Sequence, residues 1–406
     1  MKLTEIAKGI CIALALFCLL TPLAVATAEA ANDNDIAQYT KAIEESPSDP
    51  QAYNRRANAY YRLGQYEEAI ADYDKAIELD QGNDIYYDNR GKAYYHLGQY
   101  EAAIRDYDRA IVLNKGNAVY YNERGNAYYG LKRYEEALLE YGKAIELDPA
   151  YIWPHNNRGN AYRALGKYVD ALVEHTKAID MRTADIIDSD YAIMLNGRGL
   201  AYYYLKKYEE ALLDYSRAIE LNPEYAVYYD NRGNAYYFLQ KYAEALPDYD
   251  KAIALNPNNA GFYNDRGNAY DRLSNSEEAI SNYSKAIELS PNDPIAYYNR
   301  GRAYYNLDQY EEALPDYTKA VELNQGNANY YYSLANVYYC LDRYEEAIPN
   351  YSKAIELNSA YTNAYRYRGG AFEKMGDKEA ALKDYQKALE LAPDNDEYRG
   401  LVEALS

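Results

Sequence analysis

"NRGNAYY" runs from Asn231 to Tyr237, and variants of it return along the chain: "DNRGKAYY" from Asp88, "NERGNAYY" from Asn122, "NDRGNAYD" from Asn264 and "YNRGRAYY" from Tyr298. The glycine of this motif falls at Gly91, Gly125, Gly159, Gly199, Gly233, Gly267, Gly301 and Gly369. Its register is 34 residues, apart from one step of 40 between Gly159 and Gly199, and Ala57 and Ala335 fill the two remaining slots. A fixed period of this length marks stacked supersecondary repeats, not the two or three unlike domains that 406 residues would otherwise suggest.

With the glycine slot numbered position 8, ten repeats begin at Pro50, Asp84, Ala118, Ile152, Ala192, Ala226, Ala260, Pro294, Ala328 and Thr362. A half-repeat, "DIAQYTKAIEESP", precedes them and "DEYRGLVEALS" follows. Each repeat holds two apolar-periodic stretches parted by a turn such as "LGQY" or "LKRY" and closed by "LDP", "LNP" or "LNQG". That pattern reads as helix–turn–helix. Alanine holds positions 20 and 27 in every repeat, from Ala69 and Ala76 to Ala381 and Ala388, so paired helix axes can approach closely. Positions 4, 11, 12, 17 and 24 carry 41 of the 55 tyrosines, so a flat ring takes the place of leucine in the seams. A buried tyrosine hydroxyl needs a partner, which predicts partly polar seams.

The pattern G-x-A-Y … A … Y … A … P at a 34-residue period resembles the tetratricopeptide repeat family over residues 33–406, in an exported bacterial form. The resemblance implies an all-α fold: antiparallel helix pairs stacked into a right-handed superhelical solenoid, with the first helix of each pair lining a concave groove.

One departure stands out. The family usually has an apolar residue at position 7, whereas nine repeats here carry arginine: Arg56, Arg90, Arg124, Arg158, Arg198, Arg232, Arg266, Arg300 and Arg368. A partly buried guanidinium calls for a carboxylate. Position 23 offers one in Asp72, Asp106, Glu140, Glu174, Asp214, Asp248, Asp316 and Asp384, and an amide in Asn282. The ninth repeat has Leu334 and Asn350 at these positions, so both charges vanish together. An Arg–Asp clasp within each repeat is expected; the alternative gives the acid to the Lys or Arg at position 26.

Repeat proteins bind on their concave surface, which the resemblance assigns to positions 2, 5, 6, 9, 12 and 13. Here those slots are rich in asparagine and tyrosine and sum to a formal charge of only +2, against −20 for the chain. The candidate ligand-binding groove comprises Asn54, Asn58, Tyr61, Asn122, Asn126, Tyr129, Trp153, Asn156, Asn160 and Tyr203, then Asn234, Tyr237, Asn264, Asn268, Tyr305, Asn336 and Tyr339. Amides both donate and accept, matching an extended peptide backbone. Tyrosine adds rigid contact area at low entropic cost. The expected partner is a weakly charged polypeptide; a glycan or cell-wall ligand is the alternative. Some family members grip chaperone C-termini with a basic clamp. Position 5 here has no lysine and position 2 no basic residue, which argues against that function.

A net charge of −20 and a pI near 4.7 argue against nucleic acid, whose binding depends on clustered Lys and Arg. No phosphate loop, nucleophile elbow or zinc spacing occurs, so neither an enzyme nor a cofactor is expected. His155 and His175 replace seam tyrosines at positions 4 and 24 and read as core substitutions. The N-terminus has Lys2 and Lys8, an apolar run over 9–20, Pro22, and Ala26-x-Ala28 or Ala28-x-Ala30, as in a cleaved secretory leader. An uncleaved anchor is the alternative. After cleavage the protein would be periplasmic, surface-exposed or secreted, and not membrane-bound. One cysteine, Cys340, would then remain, at a tyrosine-type helix position. The expected organisation is a leader over 1–30, a capping half-repeat over 31–49, repeats over 50–185, an insertion over 186–191, repeats over 192–395 and a capping tail over 396–406.

Overall fold

The computed structural model describes residues 22–183 and 186–406. Among them the chain forms 22 helices and no strand, in two compact blocks that divide at Lys206/Lys207. The N-terminal block opens with α1 (Pro22–Glu45). Helix pairs α2 (Pro50–Arg62) with α3 (Tyr66–Leu79), α4 (Asp84–His96) with α5 (Tyr100–Leu113), α6 (Ala118–Gly130) with α7 (Tyr134–Leu147) and α8 (Ile152–Ala164) with α9 (Tyr168–Asp180) follow, and α10 (Asp188–Tyr204) ends the block.

The C-terminal block starts with α11 (Tyr208–Leu221). The pairs α12 (Ala226–Phe238) with α13 (Tyr242–Leu255), α14 (Ala260–Arg272) with α15 (Ser276–Leu289), α16 (Pro294–Asn306) with α17 (Tyr310–Leu323), α18 (Ala328–Cys340) with α19 (Tyr344–Leu357) and α20 (Thr362–Lys374) with α21 (Lys378–Leu391) follow, and α22 (Asp396–Leu405) closes it. Each block is a stack of helical hairpins in which every helix packs on its neighbours in sequence.

Chain chemistry explains the punctuation. Asp49, Asn83, Asn117, Asn259, Asp293 and Asn327 cap first helices by accepting from the backbone N–H two residues on, satisfying donors that a helix start leaves open. The hairpin turn places position 15 in the left-handed region. Gly64 (φ 76°) and Gly98 (φ 72°) meet this demand without strain, while Lys132, Gln240 and Asp308 adopt it despite a side chain. The position-15 N–H bonds the position-12 carbonyl and position 16 reaches position 11, a Schellman-type ending. Gly64 to Tyr61 and Gln65 to Tyr60 show it.

The core is alanine and tyrosine. Ala57, Ala59, Ala69 and Ala76 are fully buried, and position 10, the alanine of the G-x-A-Y pattern, is as deep as 8, 20 and 27. Into the gap falls the position-24 ring. A Cβ at Gly91 would lie 2.7 Å from the Tyr107 ring, so the glycine there makes room for the tyrosine. Position 3 supplies further buried bulk in Tyr86, Tyr120, Met194 and Tyr228. Position 4 does something else: Tyr87 and Tyr121 donate to the carbonyls of Gln81 and Lys115 and lie beneath Arg90 and Arg124, pinning the preceding loop.

The clasp between positions 7 and 23 is present. Arg56, Arg90, Arg232, Arg300 and Arg368 each meet both oxygens of their aspartate at 2.6–2.8 Å. Arg124 and Arg158 place two N–H groups on one oxygen of Glu140 and Glu174, and Arg266 donates to Asn282 at 2.8 Å. Position 26 mostly turns outward to a glutamate three residues on, as Lys75 does to Glu78 and Lys285 to Glu288, but in the fourth repeat Lys177 shares the position-23 acid Glu174 with Arg158.

The guanidinium also makes a contact that the sequence reading missed. Its Nη1 reaches position 25 of the preceding repeat: Arg56 to Thr40, Arg90 to Asp74, Arg124 to Asp108, Arg232 to Ser216, Arg266 to Asp250, Arg300 to Ser284 and Arg368 to Ser352. One arginine thus ties three helices.

Elsewhere the structure adjusts expectations. The leader expectation falls largely on residues 1–21, outside the described residues, and the capping helix begins at Pro22, ahead of residue 31. Residues 188–191 of the insertion form an added turn at the start of α10, and residues 186–187 stay outside the helix. Cys340, expected at a tyrosine-like site, is the exposed last residue of α18. His155 and His175 take different partners, Glu174 at 2.8 Å and Asn156 at 3.1 Å. Glu174 also receives Arg158 and Lys177; despite its burial, the hydrogen bonds of His155, Lys177 and Arg158 hold its carboxyl down at about 2. His175 is fully buried, and desolvation depresses its imidazole to about 3.

Two predictions follow from this packing. Arg232→Leu alone strands a buried Asp248 and should cost about 3–5 kcal/mol in urea unfolding followed by circular dichroism. Adding Asp248→Asn, which copies the ninth repeat, should restore more than half of that loss, and simple additivity would refute the clasp. For His175, the folded value of about 3 lies below the ~6.5 of an unfolded histidine. Below pH ~6.5 the unfolded chain therefore binds a proton that the folded chain refuses. Stability should fall on acidification by up to ~1.4 kcal/mol per pH unit, and His175→Tyr should remove most of the slope between pH ~6.5 and ~5.

Candidate ligand-binding surface

Within each block successive first helices touch: α2 with α4, α4 with α6, α6 with α8 and α8 with α10, then α12 with α14, α14 with α16 and α18 with α20. Their shared face carries the candidate asparagines and tyrosines, and the two blocks form two such surfaces.

The amides prove to be bonded to one another and to the core. The position-9 asparagine accepts from the seam tyrosine of its own repeat: Asn58 from Tyr73 at 2.6 Å, Asn126 from Tyr141 at 2.9 Å, Asn234 from Tyr249 at 3.0 Å, Asn268 from Tyr283 at 3.0 Å and Asn336 from Tyr351 at 2.7 Å. This is the polar seam that the buried hydroxyls required. A second set of bonds links repeats. Asn89 donates to Asn54, Asn157 to Asn122 and Asn126, and Asn299 to Asn264 and Asn268, all at 3.0–3.3 Å. Asn54, Asn122 and Asn156 are buried. The oxygens of the lining are thus largely committed within the protein. Asn160 is the least engaged, its Oδ1 meeting only Arg163 at 3.4 Å among the described residues.

The position-12 tyrosines are braced edge-on by the position-17 ring: Tyr61 by Tyr66, Tyr129 by Tyr134, Tyr237 by Tyr242, Tyr305 by Tyr310 and Tyr339 by Tyr344, with centroids 5.2–5.4 Å apart. Such pairs fix ring orientation while each ring stays half-buried. Tyr203 is held edge-on by Tyr204, and the Tyr305 hydroxyl lies 3.4 Å from Cys340 Sγ.

In the N-terminal block the face deepens into a cavity of about 380 Å³ that gathers five predicted residues, Asn122, Asn126, Tyr129, Trp153 and Asn160. Tyr95, Glu123, Tyr141, Tyr151 and Asn157 complete it. Tyr151 had a signal in the sequence: it occupies the N-cap of α8, where most repeats place Asn or Asp, and provides no side-chain cap. Glu123 also had one, as a carboxylate at position 6, between the asparagines Asn89 and Asn157 of the adjoining repeats. Burial pushes its carboxyl above the usual range; nearby Lys92 opposes the shift and Asp88 reinforces it.

The near-neutral sum of the lining therefore conceals local charge. Asp88 stands one repeat before Glu123, and in the C-terminal block Asp230 and Asp265 repeat the acid-on-acid pairing, with burial raising both carboxyls.

Comparison with known proteins agrees with this architecture. Profiles described as tetratricopeptide repeat match residues 50–83, 192–225, 294–327, 362–395 and 316–348. One described as TPR repeat matches 91–132, 125–166, 233–274, 273–308 and 336–376. No curated protein matches significantly. Similar solved structures include YrrB, described as a TPR protein with an unusual peptide-binding site, at 26% identity over 46% of this chain and 96% of its own, with a TM-score of 0.42. MamA is 28% identical over 43% of this chain and 94% of its own, with a TM-score of 0.40. A tetratricopeptide repeat protein from Parabacteroides merdae is 20% identical over 63% of this chain and 98% of its own, with a TM-score of 0.46. With these profiles spread from residue 50 to residue 395, the chain belongs to the tetratricopeptide repeat family.

Proposed function

We propose that this protein is a non-enzymatic scaffold that binds an extended polypeptide of low net charge along its first-helix surfaces, in the bacterial envelope or outside the cell. The family's general role in protein–protein interaction supports the first part, and the leader-like N-terminus the second. The observation that carries the reading is the cavity around Trp153. There the surface offers half-buried rings next to amides, and the Nδ2 of Asn160 donates to no side chain among the described residues. A peptide backbone presents alternating donors and acceptors to such a lining without regard to its own sequence.

A photo-crosslinker in place of Asn160, in cells producing the full chain, should yield adducts that a protease destroys. Adducts removed by glycan-degrading enzymes but resistant to protease would replace the polypeptide reading with a cell-wall one. Asn160→Ala should weaken capture by roughly 3–10-fold with unchanged unfolding, because it removes one hydrogen bond to the guest. Asn126→Ala should instead lower stability by about 1–2 kcal/mol, since it orphans the Tyr141 hydroxyl.

A further inference from the structure

Glu123, like Asp265 in the C-terminal block, puts a carboxylate at position 6. An asparagine there can donate backward to the preceding repeat, as Asn89 does to Asn54 and Asn157 to Asn122. A carboxylate has no proton to give, and what precedes Glu123 is Asp88, buried and with Oδ1 lacking any hydrogen-bond partner among the described residues. The one ammonium nearby, Lys92, is bound to Asp88 at 2.7 Å. Glu123 itself receives only two long amide bonds, from Asn122 at 3.2 Å and Asn126 at 3.3 Å, and takes part in no ion pair among the described residues. Two carboxylates thus share one cation beside a cavity. That arrangement costs stability in the empty protein and is relieved by a positive charge from outside.

The walls suit such a charge. Trp153, Tyr95, Tyr129 and Tyr151 line the same cavity as Glu123. Aromatic faces attract an ammonium through their quadrupole, with tryptophan the strongest, and cover an aliphatic stem at the same time. Each Glu123 oxygen already accepts from an amide, so the carboxylate does not offer the free two-oxygen edge that an arginine fork prefers; a compact ammonium needs one lone pair.

We propose that this cavity is a specificity pocket for a lysine side chain of the bound polypeptide, with Glu123 receiving the ammonium and Trp153 covering the stem. The assignment rests on the polypeptide-scaffold reading and names the residue by which the guest is selected. A chain of low net charge can still carry a lysine at this one place.

Trp153 is the only tryptophan, so its fluorescence reports on the pocket directly. The full chain would be titrated at neutral pH with the blocked peptide Ac-Gly-Gly-Lys-Gly-Gly-amide and with analogues bearing norleucine, acetyl-lysine or arginine, and with spermidine as a free amine. The lysine peptide should shift Trp153 emission saturably. The norleucine and acetyl-lysine peptides should bind at least ~10-fold more weakly, as expected for loss of a desolvated charge. Glu123→Gln should cost the lysine peptide a similar factor while moving the thermal unfolding curve upward, since it relieves the repulsion from Asp88.

Equal binding of the norleucine peptide would overturn the proposal, as would an arginine preference or insensitivity to Glu123→Gln. Spermidine binding more tightly than the lysine peptide would also overturn it, assigning the pocket to free amines. If neutral peptides bind and lose affinity in Asn160→Ala while lysine confers no advantage, the pocket assignment fails and the scaffold reading stands. If spermidine alone binds and no peptide does, both fail.

Discussion

The guanidinium at position 7 sets the geometry on which the stack depends. It is planar, permanently charged and only about one-fifth exposed, so it must be satisfied in several directions at once. Two N–H groups go to position 23 on the second helix of the same repeat, and a third goes back to position 25 of the repeat before. An apolar residue there would fill volume but would not specify direction. The fork fixes the angle between the helices of a pair and the register of that pair on its neighbour. Where the arginine is lost, at Leu334, its acidic partner is lost as well, and Asn350 donates instead to the Glu346 carbonyl of its own helix.

A second constraint couples the core to the binding face. The position-24 tyrosine fills the space that a glycine at position 8 leaves, and its hydroxyl emerges on the first-helix surface. An asparagine at position 9 then answers it. Lys92 occupies that position in the second repeat, and the Tyr107 hydroxyl there is buried without a partner among the described residues. In the tenth repeat Gly370 stands at position 9, and Tyr385 turns to Glu373 at 2.7 Å instead. The lining amides therefore serve folding first, and a guest meets mainly the amide hydrogens and ring edges that folding leaves over.

The repeat, the helix pairs, the closing alanines and the intra-repeat clasp were all legible in the sequence, because each follows from periodicity within 34 residues. What crosses from one repeat to the next was harder to read. Ahead of an arginine-bearing repeat, position 25 varies among Thr, Asp, Ser and Gly, and its common task appears only when Nη1 of that arginine is placed against it. The same holds for Asn157 on Asn122. A composition-based view of the lining showed amides and near-neutrality but not which oxygens were spent, nor that Asp88 and Glu123 fall side by side. The extra turn at Asp188–Tyr191 was hidden because an insertion of a few residues carries no period of its own. Cavity residues such as Tyr151 were visible only as missing caps.

The variation at position 25 has a mechanical meaning at one joint. Arg158 faces Gly142, and a Cβ there would stand 3.8 Å from its Nη1, so among the described residues no position-25 side chain receives the third N–H between the third and fourth repeats. In a linear array each repeat is held by its neighbours alone, so a contact missing at one joint is not replaced from farther along. This unstitched seam borders the hollow around Trp153, between the hairpins that supply Tyr129 on one side and Asn160 on the other. Anything lodged in that hollow would touch both hairpins at once and act as a splint across a joint that lacks the arginine stitch.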